Sequence, residues 1–245
     1  MQWTNATVER KIVWAPGLFT LSIAAPDVEH FEPGQFLQLA VNIDGKRVNR
    51  PYSVASPPDK SLEFFIVLVE NGQLTPHLWK LNPGDPLEVS QKAAGSFTLK
   101  HSPDSNALWL LATGTGIAPY IAMLRTNEIW RRYSKIVFVH GVRHKSDLAY
   151  QSELQAYRDK FGQRFTSIAV VSREDSPGGL RGRITTCIEN GSLENFANST
   201  LSPQSCVMMC GNPDMLDETE KLLEERGLKR NRSKSPGQIV VERYW

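Results

Sequence analysis

Ala107-Leu108-Trp109-Leu110-Leu111-Ala112 runs directly into Thr113-Gly114-Thr115-Gly116-Ile117-Ala118-Pro119. An unbroken apolar run, a glycine-rich turn and a helical stretch over 119–133 read as a buried strand, a tight turn and a helix. Strands without polar alternation are buried on both faces, as in parallel sheets. Downstream the pattern repeats. Apolar strands are predicted at 136–140, 165–171 and 206–210, with helices at 147–161, 184–190 and 213–226. Strand–helix alternation of this kind implies βαβ units on a parallel sheet, with ligands at the carboxyl ends of its strands.

Upstream the character changes. Residues 100–106 (Lys-His-Ser-Pro-Asp-Ser-Asn) are polar and turn-rich. A domain boundary is expected there, dividing the chain into 1–102 and 103–245. Residues 2–99 show short strands at 8–13, 18–23 and 62–69, resuming at 87–89, with turn signals such as Asp44-Gly45, Asn71-Gly72 and Pro83-Gly84-Asp85 at short intervals. This spacing predicts a sandwich or barrel. One helix is expected at 75–81, capped by Thr75 with Pro76 at its first position.

The length of 245 residues suits one large domain or two small ones. With 40% hydrophobic and 22% charged residues, the chain reads as globular, and a net charge of +2 is too small to argue for nucleic acid. No apolar run reaches the ~20 residues that cross a bilayer. No signal peptide is visible in residues 1–25. Three cysteines, Cys187, Cys206 and Cys210, fit reduced thiols in a cytoplasmic protein. They are too few for an iron–sulfur cluster, and the five histidines show no metal spacing, so no metal is expected.

Several short stretches carry chemistry. In Arg50-Pro51-Tyr52-Ser53 the guanidinium and the phenol share one face of an extended segment. The pair can grip a phosphate and lay an aromatic ring against a flat ligand, or simply decorate an edge strand. The turn Gly114-Thr115-Gly116 offers close backbone approach to an anion, although it lacks the Gly-x-Gly-x-x-Gly fingerprint. Arg143, Ser172-Arg173 and Arg183 fall just past predicted strand ends, where arginine would favour a 2′-phosphate and hence NADP. Glu174 adjoins them and keeps NAD open. Cys210-Gly211-Asn212-Pro213 ends a strand with a thiol toward the crevice, or with a buried structural cysteine. Lys229, Arg230, Arg232 and Lys234 form a basic run that is either solvated or steers an acidic partner.

Taken in order and spacing, Arg50-Pro51-Tyr52-Ser53, Gly114-Thr115-Gly116-Ile117-Ala118-Pro119, Cys210-Gly211-Asn212-Pro213 and the terminal aromatic pair resemble the ferredoxin–NADP⁺ reductase family, in its bacterial branch. The resemblance spans essentially the whole chain. It implies an N-terminal antiparallel six-stranded β-barrel for FAD and a C-terminal α/β parallel-sheet domain for NADP(H). By resemblance, Arg50, with Pro51 beside it, holds the FAD pyrophosphate, Tyr52 packs on the flavin and Ser53 lies near its reactive nitrogen. Phe65, Ile66, Val67 and Leu68 line the flavin, Gln73, Leu74 and Thr75 meet its phosphates, and Thr115 meets both cofactors. Trp245 stacks on the adenine end of FAD. Arg143, Arg173 and Arg183 grip the 2′-phosphate, Cys210 flanks the nicotinamide, and Ser172, Gly211 and Asn212 also belong to the NADP site. Glu242 is the candidate for an assisting carboxylate, although the family's plastid members end in a single tyrosine and this chain ends Tyr244-Trp245.

The activity implied is electron transfer between NADPH and ferredoxin or flavodoxin, both acidic carriers, by a cytoplasmic monomer with neither nucleic acid nor membrane as partner. A free flavin reductase of the same superfamily and a non-catalytic NADP-binding module are the alternatives.

Overall fold

The computed structural model describes residues 1–243. The chain groups into two compact units, Met1–Leu99 with Ala118–Thr126, and Lys100–Ile117 with the chain from Asn127 onward.

In the first unit, strands β1 (Trp3–Ala15), β2 (Leu18–Ala24), β3 (Phe36–Ile43), β4 (Lys46–Ser53), β5 (Leu62–Val67) and β6 (Pro86–Ser90) form one sheet in the order β4-β3-β6-β1-β2-β5. Every pairing is antiparallel. Asp44 and Gly45 both take positive φ, 50° and 77°. This is the two-residue turn whose twist matches a hairpin, and it sets Ile43 opposite Lys46. Just past β4, Val54 bridges Phe64 of β5, and Ala55 N–H donates to the Glu63 carbonyl at 2.7 Å. The two edge strands therefore meet, and the sheet closes into a barrel. Leu21, Ile23, Leu37, Leu39, Phe64 and Val89 fill its interior.

Helix α1 (Thr75–Lys80) contributes Leu78 to that core, but its cap differs from expectation. Leu74 is the N-cap and no side chain caps the helix. The Thr75 hydroxyl instead accepts from Val69 N–H (2.9 Å) and donates to the Val69 carbonyl (3.1 Å), fastening the preceding loop.

The stretch predicted as one helix over 119–133 is two: α2 (Ala118–Leu124) and α3 (Asn127–Arg132). The Thr126 hydroxyl and N–H both donate to the Met123 carbonyl, ending the first helix in a tight turn. Helix α2 belongs to the first unit, where Tyr120 meets Phe97 and Arg125, just past its end, pairs with Glu63 at 2.6 Å.

The second unit contains β7 (Ala107–Thr113), β8 (Lys135–Val142), β9 (Phe165–Val171), β10 (Leu180–Arg181), β11 (Ser205–Gly211) and β12 (Ile239–Arg243). They form a parallel sheet in the order β10-β9-β8-β7-β11-β12. Helices α4 (Gln151–Phe161), α5 (Ile184–Glu189), α6 (Ser192–Ala197) and α7 (Pro213–Glu225) join the strands. Helix α4 starts later than predicted because a 3₁₀ turn, Lys145–Asp147, comes first and Tyr150 sits at φ 59°. Helix α7 begins as its sequence suggests: the Asn212 side chain accepts from the N–H groups of Asp214 and Met215, with Pro213 in the first turn. Strand β10 and helix α6 are too short to stand out in the sequence. One face of the sheet, with Trp109, Leu111, Val137, Val139, Val207 and Met209, packs on α5, α6 and α7. Among the described residues no helix is long and apolar enough to cross a membrane.

Candidate functional site

In the first unit the candidate residues lie on β4 and on the loop before α1. Residues i and i+2 of a strand share a face, so Arg50 and Tyr52 project together, opposite Leu39 and Leu37. Arg50 is exposed and already oriented: one guanidinium nitrogen donates to the Asn49 carbonyl at 2.7 Å, the other to Gln73 Oε1 at 3.3 Å. Two stretches singled out separately in the sequence are thereby joined. The fork has further donors for an anion. Burial pushes the Tyr52 phenol up to about 12, although nearby Arg50 draws it down, so the ring keeps its O–H at neutral pH. Pro51 is exposed and Ser53, at the end of β4, is buried. Phe65, Ile66 and Leu74 are buried, Val67 is exposed, and Leu68 N–H donates to the Gly17 carbonyl at 2.6 Å.

In the second unit the site is set by strand order. Strands β7, β8, β9 and β10 proceed toward one edge, and the chain then returns to place β11 on the other side of β7. The carboxyl ends of β7 and β11 therefore flank a topological switch point, where open α/β sheets bind ligands. Thr113 ends β7, and its hydroxyl accepts from Asn212 N–H at 2.9 Å. A side chain on Gly211 (φ 133°) would collide with the Thr113 hydroxyl, and a Cβ on Gly116 would lie 2.6 Å from the Cys210 carbonyl. These two glycines let the two strand-end loops pass each other. Gly114, at φ 54°, has open space around it, and Thr115 follows it half-exposed.

His140, buried at the end of β8, fixes this turn. Its Nε2 lies 2.9 Å from the Gly114 carbonyl. A carbonyl only accepts, so Nε2 carries the proton. Burial lowers the imidazole to about 4, which keeps it neutral at ordinary pH. Cys210 is fully buried, and the register sets it opposite Glu242, with Sγ 3.9 Å from a carboxylate oxygen. Tyr244 and Trp245 lie outside the described residues.

The ends of β8, β9 and β10 carry the arginines. Arg173 N–H donates to the Arg143 carbonyl at 3.1 Å, and Gly182 N–H to the Val171 carbonyl at 2.9 Å. Ser172 is tied to the Val142 carbonyl through both its N–H and its hydroxyl. Arg143, Arg173 and Arg183 are exposed, and among the described residues their guanidinium groups have no ionic or hydrogen-bonding partner. Nearby Arg181 does have one, Asp175 at 2.8 Å. Glu174, the residue that left NAD open, has its carboxylate engaged: Oε1 accepts from Lys145 N–H at 2.6 Å. Of the basic run, Arg230 is paired with Glu220 at 2.6 Å.

Comparisons with known proteins agree with this two-part geometry. Residues 6–98 match the family described as oxidoreductase FAD-binding domain, and residues 110–221 the oxidoreductase NAD-binding domain. The chain is 40% identical to the flavodoxin/ferredoxin–NADP reductase of Shigella flexneri, over 99% of both chains. It is 35% identical to the ferredoxin–NADP reductase of Azotobacter vinelandii, over 98% of both. This chain belongs to the ferredoxin/flavodoxin–NADP reductase family. Among solved structures, a ferredoxin NADP⁺ reductase from Neisseria gonorrhoeae with bound FAD and NADP superposes with a TM-score of 0.95, at 30% identity and full coverage of both chains.

The hold of His140 on the Gly114 carbonyl has no signature in the sequence, because a lone histidine in an apolar strand carries no signal of its partner. The engagement of Glu174 was equally hidden, since its partner lies 29 residues away in the chain.

Proposed function

We propose that this reductase moves electrons between NADPH and ferredoxin or flavodoxin, holding FAD on its first unit and NADP(H) on its second. Bound flavin would supply the chemistry of accepting a hydride and releasing single electrons. The chain's own residues bind, orient and exclude. Arg50, braced by Gln73 and the Asn49 carbonyl, offers its free donors to the FAD pyrophosphate. Tyr52 stays protonated and presents a half-buried ring to the flavin, with Ser53 beside it. The backbone of 65–68 and the loop Gln73-Leu74-Thr75, pinned by Thr75 to Val69, complete the wall. Thr115, Cys210, Gly211 and Asn212 stand at the switch point for the nicotinamide half, and Glu242 accompanies the Cys210 thiol.

The observation that carries the preference for NADP is the set Arg143, Arg173 and Arg183. Three guanidinium groups from three neighbouring strand ends have no partner among the described residues, while the adjacent acid, Glu174, is engaged elsewhere. Arginine matches a phosphate better than a ribose hydroxyl, and Ser172 adds a hydroxyl to the set. Lys229, Arg232 and Lys234 would help to attract an acidic carrier.

The test is direct. The purified chain should show a bound-flavin visible spectrum and reduce a flavodoxin or ferredoxin with NADPH. A colourless protein that cannot be reconstituted with FAD would reject the proposal.

A further inference from the structure

The acid at the arginine cluster is held in an unusual way. Glu174 follows Arg173 directly, so its carboxylate stands next to the arginine cluster in the chain. A free carboxylate there would repel a phosphate. Here the carboxylate faces the turn Lys145–Asp147. Oε1 accepts from Lys145 N–H at 2.6 Å and lies 3.7 Å from His144 Nδ1, and Oε2 lies 3.9 Å from Lys145 Nζ. The turn that receives it is itself braced. Asp147 accepts from His144 N–H at 3.0 Å and returns its own N–H to the His144 carbonyl at 3.0 Å. Next along the chain, Asp175 is taken up by Arg181. Both acids beside Arg173 are therefore committed to other partners.

We propose that Glu174 and the His144-Lys145 turn together form a specificity-determining device: the turn sequesters the Glu174 carboxylate and so keeps the arginine cluster selective for a 2′-phosphate. The device rests on the reading that Arg143, Arg173 and Arg183 bind that phosphate. Glu174 is a positioning residue, acting through the charge and the loop it governs.

Binding by calorimetry to the FAD-loaded protein tests it, with 2′,5′-ADP and 5′-AMP as probes and the ratio of their affinities as the readout. In the wild-type background Glu174→Gln keeps an acceptor for Lys145 N–H and should leave the ratio nearly unchanged. The double variant His144→Ala/Lys145→Pro removes both side-chain cations and the Lys145 N–H that holds Oε1, and it should lower the ratio by about threefold, the scale of a screened surface charge. Adding Glu174→Gln to that double variant should restore most of the loss. Equal effects of Glu174→Gln in both backgrounds, or a loss that it does not restore, would overturn the proposal, because Lys145 would then be acting on the phosphate directly. Arg173→Ala separates the two ideas. If that variant keeps the wild-type ratio, the placement of the phosphate fails, whatever the coupling between Glu174 and the turn.

Discussion

Arg50 in the first unit and Arg173 in the second have the same chemistry but are prepared differently. Arg50 is held by its own side chain, against Asn49 and Gln73, on a strand where alternation alone sets its direction. Arg173 is held by its backbone, through the bond to the Arg143 carbonyl, and its side chain has no partner among the described residues. The first site is thus built from neighbours along one hairpin and one loop. The second is assembled by the order in which parallel strands lie side by side. A site of the first kind should be damaged by removing a side chain, and one of the second kind by disturbing the backbone that joins the strand ends.

The largest effect is expected from that backbone. Gly211→Ala forces a side chain onto φ 133° and into Thr113, so it should cost about 3 kcal/mol or more in urea unfolding and abolish NADP binding. Gly45→Ala, in the first-unit hairpin with open space around it, should cost about 1 kcal/mol and leave both sites intact. Equal costs would break the contrast.

Next in size is the pH dependence that His140 confers on the second unit. Its folded-state pKa, about 4, lies below the ordinary 6.5. Below pH 6.5 the unfolded chain binds the proton that the folded chain refuses. The stability is therefore fully present above pH 6.5 and is lost as pH falls toward 4, by about 3 kcal/mol. Unfolding of His140→Gln should show a shallower decline over this window than wild type. Parallel curves would mean that the burial of His140 has been misjudged.

The two arginines then give crossed outcomes. Arg173→Ala should raise KM for NADPH about tenfold or more, leaving NADH and flavin content almost untouched, by loss of a charged hydrogen bond. Arg50→Ala should weaken FAD by a similar factor, read from flavin release on gel filtration. If either variant impaired both nucleotides equally, the separation of the two sites would be wrong. The smallest expected change is Thr75→Val, which removes the two bonds to Val69 and should cost about 1 kcal/mol without altering the preference for NADPH.

Local chemistry was readable from the residues themselves. The apolar runs at 107–112 and 206–210, the Asp44-Gly45 turn and the helix from Pro213 depend on backbone preferences a few residues wide, and each appears where the pattern put it. Sequence pattern and structure part company where a side chain has two possible partners. Thr75 turned to Val69 instead of capping its own helix, and Thr126 ended a helix that its apolar spacing would have continued. What only the folded chain decided is which distant residues face each other: Cys210 with Glu242, Arg50 with Gln73, Glu174 with Lys145. Those meetings follow from strand order, barrel closure and loop path, and these are set by the packing of whole elements, which no short window of sequence contains.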